Sequence, residues 1–156
     1  RAARRLLLLV GQVDAHLAVV VLVVEAVARR HGAARPVHAR QARAAIEAGA
    51  FHNDVVCVGT RTCLFHHEHA FEETAAVHDA VRRAAGGLFE PDFVVIAEAD
   101  LPLADAVTSY LFNSQLLQVP GENRLVLLAP IEVQENPRAR AVARHGPTGR
   151  ASRRKE

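Results

Sequence analysis

With 156 residues, half of them apolar and 23% charged, the chain has the size of one globular domain, and folding should bury about two thirds of the surface it exposes when unfolded. Aromatics make up only 4%, and Met and Trp are absent, so Ala, Val and Leu must fill the core. The formal net charge of +2 comes from the ends, in Arg1, Arg4 and Arg5 and again in Arg150, Arg153, Arg154 and Lys155; the near-balanced middle excludes a nucleic-acid footprint.

Residues 1–30 read as basic flank, apolar centre, basic flank. The runs 6–10 and 17–24 are each too short to cross a bilayer, and Gln12, Asp14 and His16 lie between them. An acidic residue at mid-bilayer costs about 2.5–3.5 kcal/mol, and no small-x-small cleavage site follows, so neither a membrane span nor an export signal is expected. A buried strand near 6–10 and a helix over 17–30 are predicted instead. His31-Gly32 stops that helix through a left-handed glycine, and Pro36 forces extended backbone into Val37 and His38.

Helix-friendly composition returns over 40–48, with Gly49 as the stop. The run 51–58 predicts a strand, which Gly59-Thr60-Arg61-Thr62 turns back into Cys63-Leu64-Phe65 as a hairpin. From Phe71 the period becomes helical, with Phe71, Ala75, Val77 or His78, Val81 and Ala85 on one face and Gly86-Gly87 at the end. Glu72-Glu73 near its start and Arg82-Arg83 near its finish both suit the helix dipole. Pro91 then precedes a short strand at 93–96, so the order ββαβ is legible from 51 to 97, and the fold class is α/β.

A turn or single helical turn is expected at 105–107, a strand over 110–119, loop chemistry at Pro120-Gly121-Glu122-Asn123 and a hairpin partner over 124–128. Residues 135–145 are helical in composition, with Pro137 tolerated in a first turn. The tail 146–156 is Pro, Gly, Ser and charge, and is expected to be disordered.

His52 and Asp54, placed at the mouth of the apolar run, stand out chemically. On a strand their spacing of two sends both side chains from one face. The carboxylate could orient the imidazole or grip a guanidinium, or the pair could simply cap a strand. His66, His67, Glu68 and His69 have metal-ligand composition but lack the i,i+4 pair of a helical zinc site, and read more simply as a solvated turn. Cys57 and Cys63 lack CxxC spacing and read as reduced, buried cysteines of a cytoplasmic protein. No Gly-rich phosphate loop, GxSxG elbow or heptad pattern is present.

Three blocks carry a resemblance. Gly49-Ala50-Phe51-His52-Asn53-Asp54-Val55-Val56, then Leu64-Phe65-His66 with Ala70-Phe71, then Asp105-Ala106-Val107-Thr108-Ser109-Tyr110-Leu111-Phe112-Asn113-Ser114-Gln115-Leu116-Leu117 resemble the N-succinylarginine dihydrolases over roughly residues 25–140. The resemblance implies part of a pentein, the α/β propeller of guanidino-group-modifying enzymes, built from ββαβ units around a central funnel. It implies hydrolysis of N2-succinylarginine to N2-succinylornithine, ammonia and carbon dioxide in arginine catabolism. Neither a metal nor an organic cofactor is implied, and the complete enzyme could form a homo-oligomer.

By the same resemblance His52 matches the catalytic histidine and Asp54 a substrate-binding carboxylate. The family's catalytic Glu falls upstream, its nucleophilic Cys falls downstream in a Gly-rich segment, and its substrate-binding Arg falls before Glu25. Neither Cys57 nor Cys63 occupies the nucleophile's place. Residues 1–24 are therefore expected to be an atypical apolar and basic segment, 25–145 a partial catalytic domain, and 146–156 a basic tail. Both ends resemble GC-rich DNA translated out of frame, so the expectation is a partial or frame-interrupted copy, inactive by itself.

Overall fold

The computed structural model describes residues 5–11, 28–60, 62–122 and 124–147. Strand β1 (Arg5–Gly11), where a strand is expected near 6–10, pairs in parallel with β2 (Ala33–Arg40), which contains the extended backbone expected at Pro36. Between them residues 28–30 are helical and Gly32 takes φ +63°; the rest of the helix expected over 17–30 lies outside the described residues. Helix α1 (Arg43–Glu47) stops before Gly49, whose φ of +104° favours a residue without a Cβ.

The centre is a three-stranded sheet in the order β3 (Cys57–Gly59), β4 (Cys63–His67), β5 (Asp92–Ile96). Strands β3 and β4 form the antiparallel hairpin, β4 and β5 are parallel, and helix α2 (Thr74–Ala85) makes the crossover. Val77, Val81 and Ala85, four residues apart, bury one stripe of α2 while Ala75 faces solvent. Gly86 closes it in the left-handed region, and Arg35 of β2 donates to the Ala84 carbonyl at 3.3 Å. The ββαβ order read from sequence is present.

Beyond it, α3 (Leu103–Ser109) leads to a hairpin of β6 (Gln115–Gln118) and β7 (Leu125–Leu128), then α4 (Glu132–Glu135) and α5 (Pro137–His145). Pro137 stands in the first turn of α5, where Asn136 caps the helix by accepting from the Arg138 and Ala139 amides. Two apolar clusters result among the described residues. One joins β2, α1 and α2 through Val37, Ala45, Val56, Phe71 and Val81; the other joins the sheet to α3 and α5 through Phe65, Ile96, Phe112 and Val142.

Two predicted strands are corrected. The run 51–58 is not a strand throughout: residues Asn53–Val55 form a 3-10 turn, and extended pairing begins only at Cys57. The amides of Val55 and Val56 bond back to the carbonyls of His52 and Asn53 at 3.2 and 3.0 Å. Asn-Asp turn chemistry overrides the extended preference of the two valines. The run 110–119 likewise narrows to residues Gln115–Gln118, because Tyr110 caps α3 at φ +52° and sends both Leu111 and Phe112 into the core, where neither is exposed. Consecutive buried side chains cannot belong to a half-exposed strand.

Candidate functional site

The 3-10 turn sits at one end of the central sheet. Because β3 runs antiparallel to β4, its start lies beside the end of β4, and the His67 amide bonds the Val56 carbonyl at 2.9 Å. The end of β5 lies on the other side, where Glu68 donates its amide to Ile96 at 2.8 Å. His52, Asn53 and Asp54 therefore stand outside the carboxyl ends of the two parallel strands, the edge that open α/β sheets use for ligands. The turn is firmly seated, with Val56 and Ala50 fully buried beneath it and the buried Gln41 amide donating to the Ala50 carbonyl at 2.7 Å.

His52 is the residue preceding the turn, in extended conformation, and Asp54 is inside the turn; both are exposed. Among the described residues no hydrogen bond or ion pair joins them, so the shared strand face expected from their spacing does not exist, and Asp54 does not orient the imidazole. Its partner is instead Asn113, whose Nδ2 donates to Asp54 Oδ2 at 3.0 Å across 59 positions of sequence. Asn113 was hidden in sequence by the reading of 110–119 as a strand. Its one signal in the sequence was its place within residues 105–117, one of the stretches that carry the resemblance.

The histidines at 66 and 67 behave oppositely to the solvated turn their composition suggested. They are the last residues of β4 and neither is exposed. His66 Nδ1 lies 2.7 Å from the His67 carbonyl and must donate to it, which leaves Nε2 to accept from His78 Nε2 at 2.8 Å. Burial pushes His66 down to about 4, partly countered by its bond to the His67 carbonyl, and burial also lowers His78, which stacks on Phe93 at 3.9 Å.

His67 Nε2 donates to the Leu101 carbonyl at 2.9 Å while its Nδ1 accepts the His69 amide at 3.1 Å. Here too burial is the largest cause of a lowered pKa, ahead of the Leu101 bond and the Glu98 carboxylate, which act the other way. Glu98 accepts the Leu103 amide at 3.0 Å, and the Glu68 carboxylate accepts the Glu98 amide. This network pins the ends of β4 and β5 to the start of α3. Its nitrogens are committed to protein partners, and no group of three or more potential metal ligands is gathered among the described residues.

Cys57 and Cys63 are buried thiols with no disulfide between them. Burial pushes the Cys57 thiol up to about 12, the reverse of what a nucleophile needs. The geometry thus offers an exposed imidazole and an oriented, exposed carboxylate on a seated turn, and a thiol at Cys57 that is not activated.

A model of the succinylarginine dihydrolase family matches residues 20–152. Over 131 residues the chain is 67% identical to N-succinylarginine dihydrolase 2 of Caulobacter vibrioides, covering 81% of this chain and 29% of that protein. It is 49% identical over 119 residues to N-succinylarginine dihydrolase of Paraburkholderia xenovorans, with 74% and 26% covered, and 41% identical over 134 residues to that of Hahella chejuensis, with 81% and 29% covered. The chain thus spans between a quarter and a third of the length of these curated relatives.

Proposed function

Since the chain belongs to the succinylarginine dihydrolase family, we propose that it is a sector of an enzyme converting N2-succinylarginine to N2-succinylornithine, ammonia and carbon dioxide. The observation that carries this reading is the exposed His52 and Asn113-held Asp54 on one tight turn at the carboxyl edge of the sheet. In the proposed reaction, which runs through two rounds and consumes two waters, a Cys thiolate attacks the guanidinium carbon and ammonia leaves, then water displaces the thiolate. The second round releases the second ammonia and leaves a carbamate that loses carbon dioxide. Asp54 holds the planar cation, and His52 carries protons to the leaving nitrogen and from the hydrolytic water. The thiolate and a second carboxylate come from other parts of the complete enzyme. The raised pKa of Cys57 supports giving the nucleophile's role to a cysteine elsewhere.

We further assign residues 25–145 to a partial pentein domain, with 1–24 and 146–156 as flanking segments. The ββαβ unit made by β3, β4, α2 and β5 suits one propeller blade, and the β6–β7 hairpin would open the next. No helix among the described residues is long and apolar enough to cross a membrane, and a cytoplasmic, small-molecule enzyme is the setting we propose.

Purified chain 1–156 is expected to release no ammonia from N2-succinylarginine, because removing a nucleophile from a group that acts as a unit removes nearly all the rate. Ammonia release that disappears in His52→Ala would show that this chain carries a working site of its own. A second reading, a weak guanidinium-binding module, is favoured by the exposure of Asp54 and separates from the first through binding without turnover.

A further inference from the structure

We propose that Asn113 is a positioning residue for Asp54: its amide holds the carboxylate in the orientation that accepts a planar guanidinium, and so favours a forked cation over a simple ammonium. The inference rests on the reading of Asp54 as the guanidinium-binding group.

Two independently anchored platforms meet at this one bond. Asp54 rides on the 3-10 turn over buried Val55 and Val56. Asn113 follows Leu111 and Phe112, both fully buried, and Phe112 packs on Phe65 with ring centroids 4.8 Å apart. The loop is set by Tyr110, the one non-glycine residue at positive φ among those described, a conformation costing about 1 kcal/mol or more. The Asn113 backbone N–H then donates to the Tyr110 carbonyl at 3.0 Å, and the Ser114 hydroxyl donates to the Leu111 carbonyl. Strain of this kind persists where surrounding packing fixes it, and here its outcome is the placement of Asn113.

The chemistry of the donor separates positioning from simple attachment. A Lys or Arg at 113 would occupy the carboxylate as an ion pair and compete with the substrate cation. A neutral amide fixes one oxygen and leaves the charge in place. Asp54 Oδ1 has no protein hydrogen-bond partner among the described residues, so it and the second lone pair of Oδ2 remain for the two parallel N–H groups of a guanidinium. An ammonium presents no such plane and gains little from the orientation.

Titration calorimetry of the full chain with N2-succinylarginine and with N2-succinylornithine tests this. Asn113→Ala is expected to weaken N2-succinylarginine roughly 10-fold and N2-succinylornithine less than about twofold, as loss of one charge-assisted hydrogen bond would. Asn113→Gln, which keeps the donor, recovers part of the loss, and Asn113→Ala on an Asp54→Asn background adds nothing. Equal weakening of both ligands, or unchanged N2-succinylarginine affinity in Asn113→Ala while Asp54→Asn loses it, overturns the inference and leaves the reading of Asp54 standing. Equal binding by wild type and Asp54→Asn, or none by wild type, removes that reading and the inference with it. Should Asn113→Ala melt early, the Asn113 side-chain amide protons in the NMR spectrum of the wild type provide the second measurement: they must move in Asp54→Asn, and unmoved resonances count against the bond.

Discussion

His52 and the pair His66-His67 stand on the same edge of the same sheet, yet the fold uses them in opposite ways. His52 is exposed on a turn and makes no hydrogen bond to Asp54, whereas the pair is fully buried with ring nitrogens committed to a carbonyl, an amide or another imidazole. A histidine rich in partners is doing structural work. One left exposed on a seated turn is the one to which we assign proton transfer in the proposed reaction.

The comparison breaks most sharply by mutation. His67→Leu leaves the buried Leu101 carbonyl without its donor and frees the end of β4 from α3, so it is expected to cost about 3 kcal/mol. His52→Ala removes an exposed side chain and should stay within about 0.5 kcal/mol of wild type. Urea denaturation at constant m reads both values. Equal midpoints for the two variants would end the division of roles.

Acid probes the same division without mutation. His66 at about 4 and the lowered His67 and His78 bind protons less readily in the native state than in the unfolded chain. As pH falls below the ordinary histidine value of about 6.5 the unfolded chain takes up protons first, so stability is fully present above that value and is lost toward pH 4. For His66 alone the loss is on the order of 3 kcal/mol. The groups facing His66 and His78 are Arg82 and Asp79 on α2 and His67 on β4, and those facing His67 are Glu98, His69 and Glu68. Chemical denaturation at pH 7 and pH 4.5 should show a steeper loss in wild type than in His66→Asn; parallel curves would refute the buried-neutral assignment.

What was legible in sequence follows from what local chemistry controls. The ββαβ order came through because the period changes at Phe71, the stops at Gly49 and Gly86 and the Gly59 turn are all local signals. His52 and Asp54, the residues proposed for the site, are singled out in sequence by their spacing and by the resemblance. Their geometry was not legible, because two valines after Asn53-Asp54 look extended until the backbone bonds of the turn are known. Burial of His66 and His67 was equally hidden, since it depends on α2 folding back to supply His78 and on the distant carbonyl of Leu101. Asn113 required both its long-range partner and the left-handed Tyr110.

A smaller loss of stability than at His66 or His67 belongs to Cys57, and it sharpens the same contrast between committed and available groups. Cys57 lies two positions into the chain beyond the site turn, paired with His66 across the hairpin, and is only 5% exposed. With its thiol pushed up to about 12, almost no thiolate exists at neutral pH, and sulfur nucleophilicity belongs to the thiolate. Cys57→Ala should therefore cost on the order of 1 kcal/mol, the loss of a small buried group, and leave any guanidinium binding at Asp54 unchanged. Iodoacetamide at pH 8 should label Cys57 in the folded chain far more slowly than in urea, with peptide mass spectrometry separating it from Cys63. Fast native labelling of Cys57 would mean that its thiol is reachable and ionised, and would make it a candidate nucleophile.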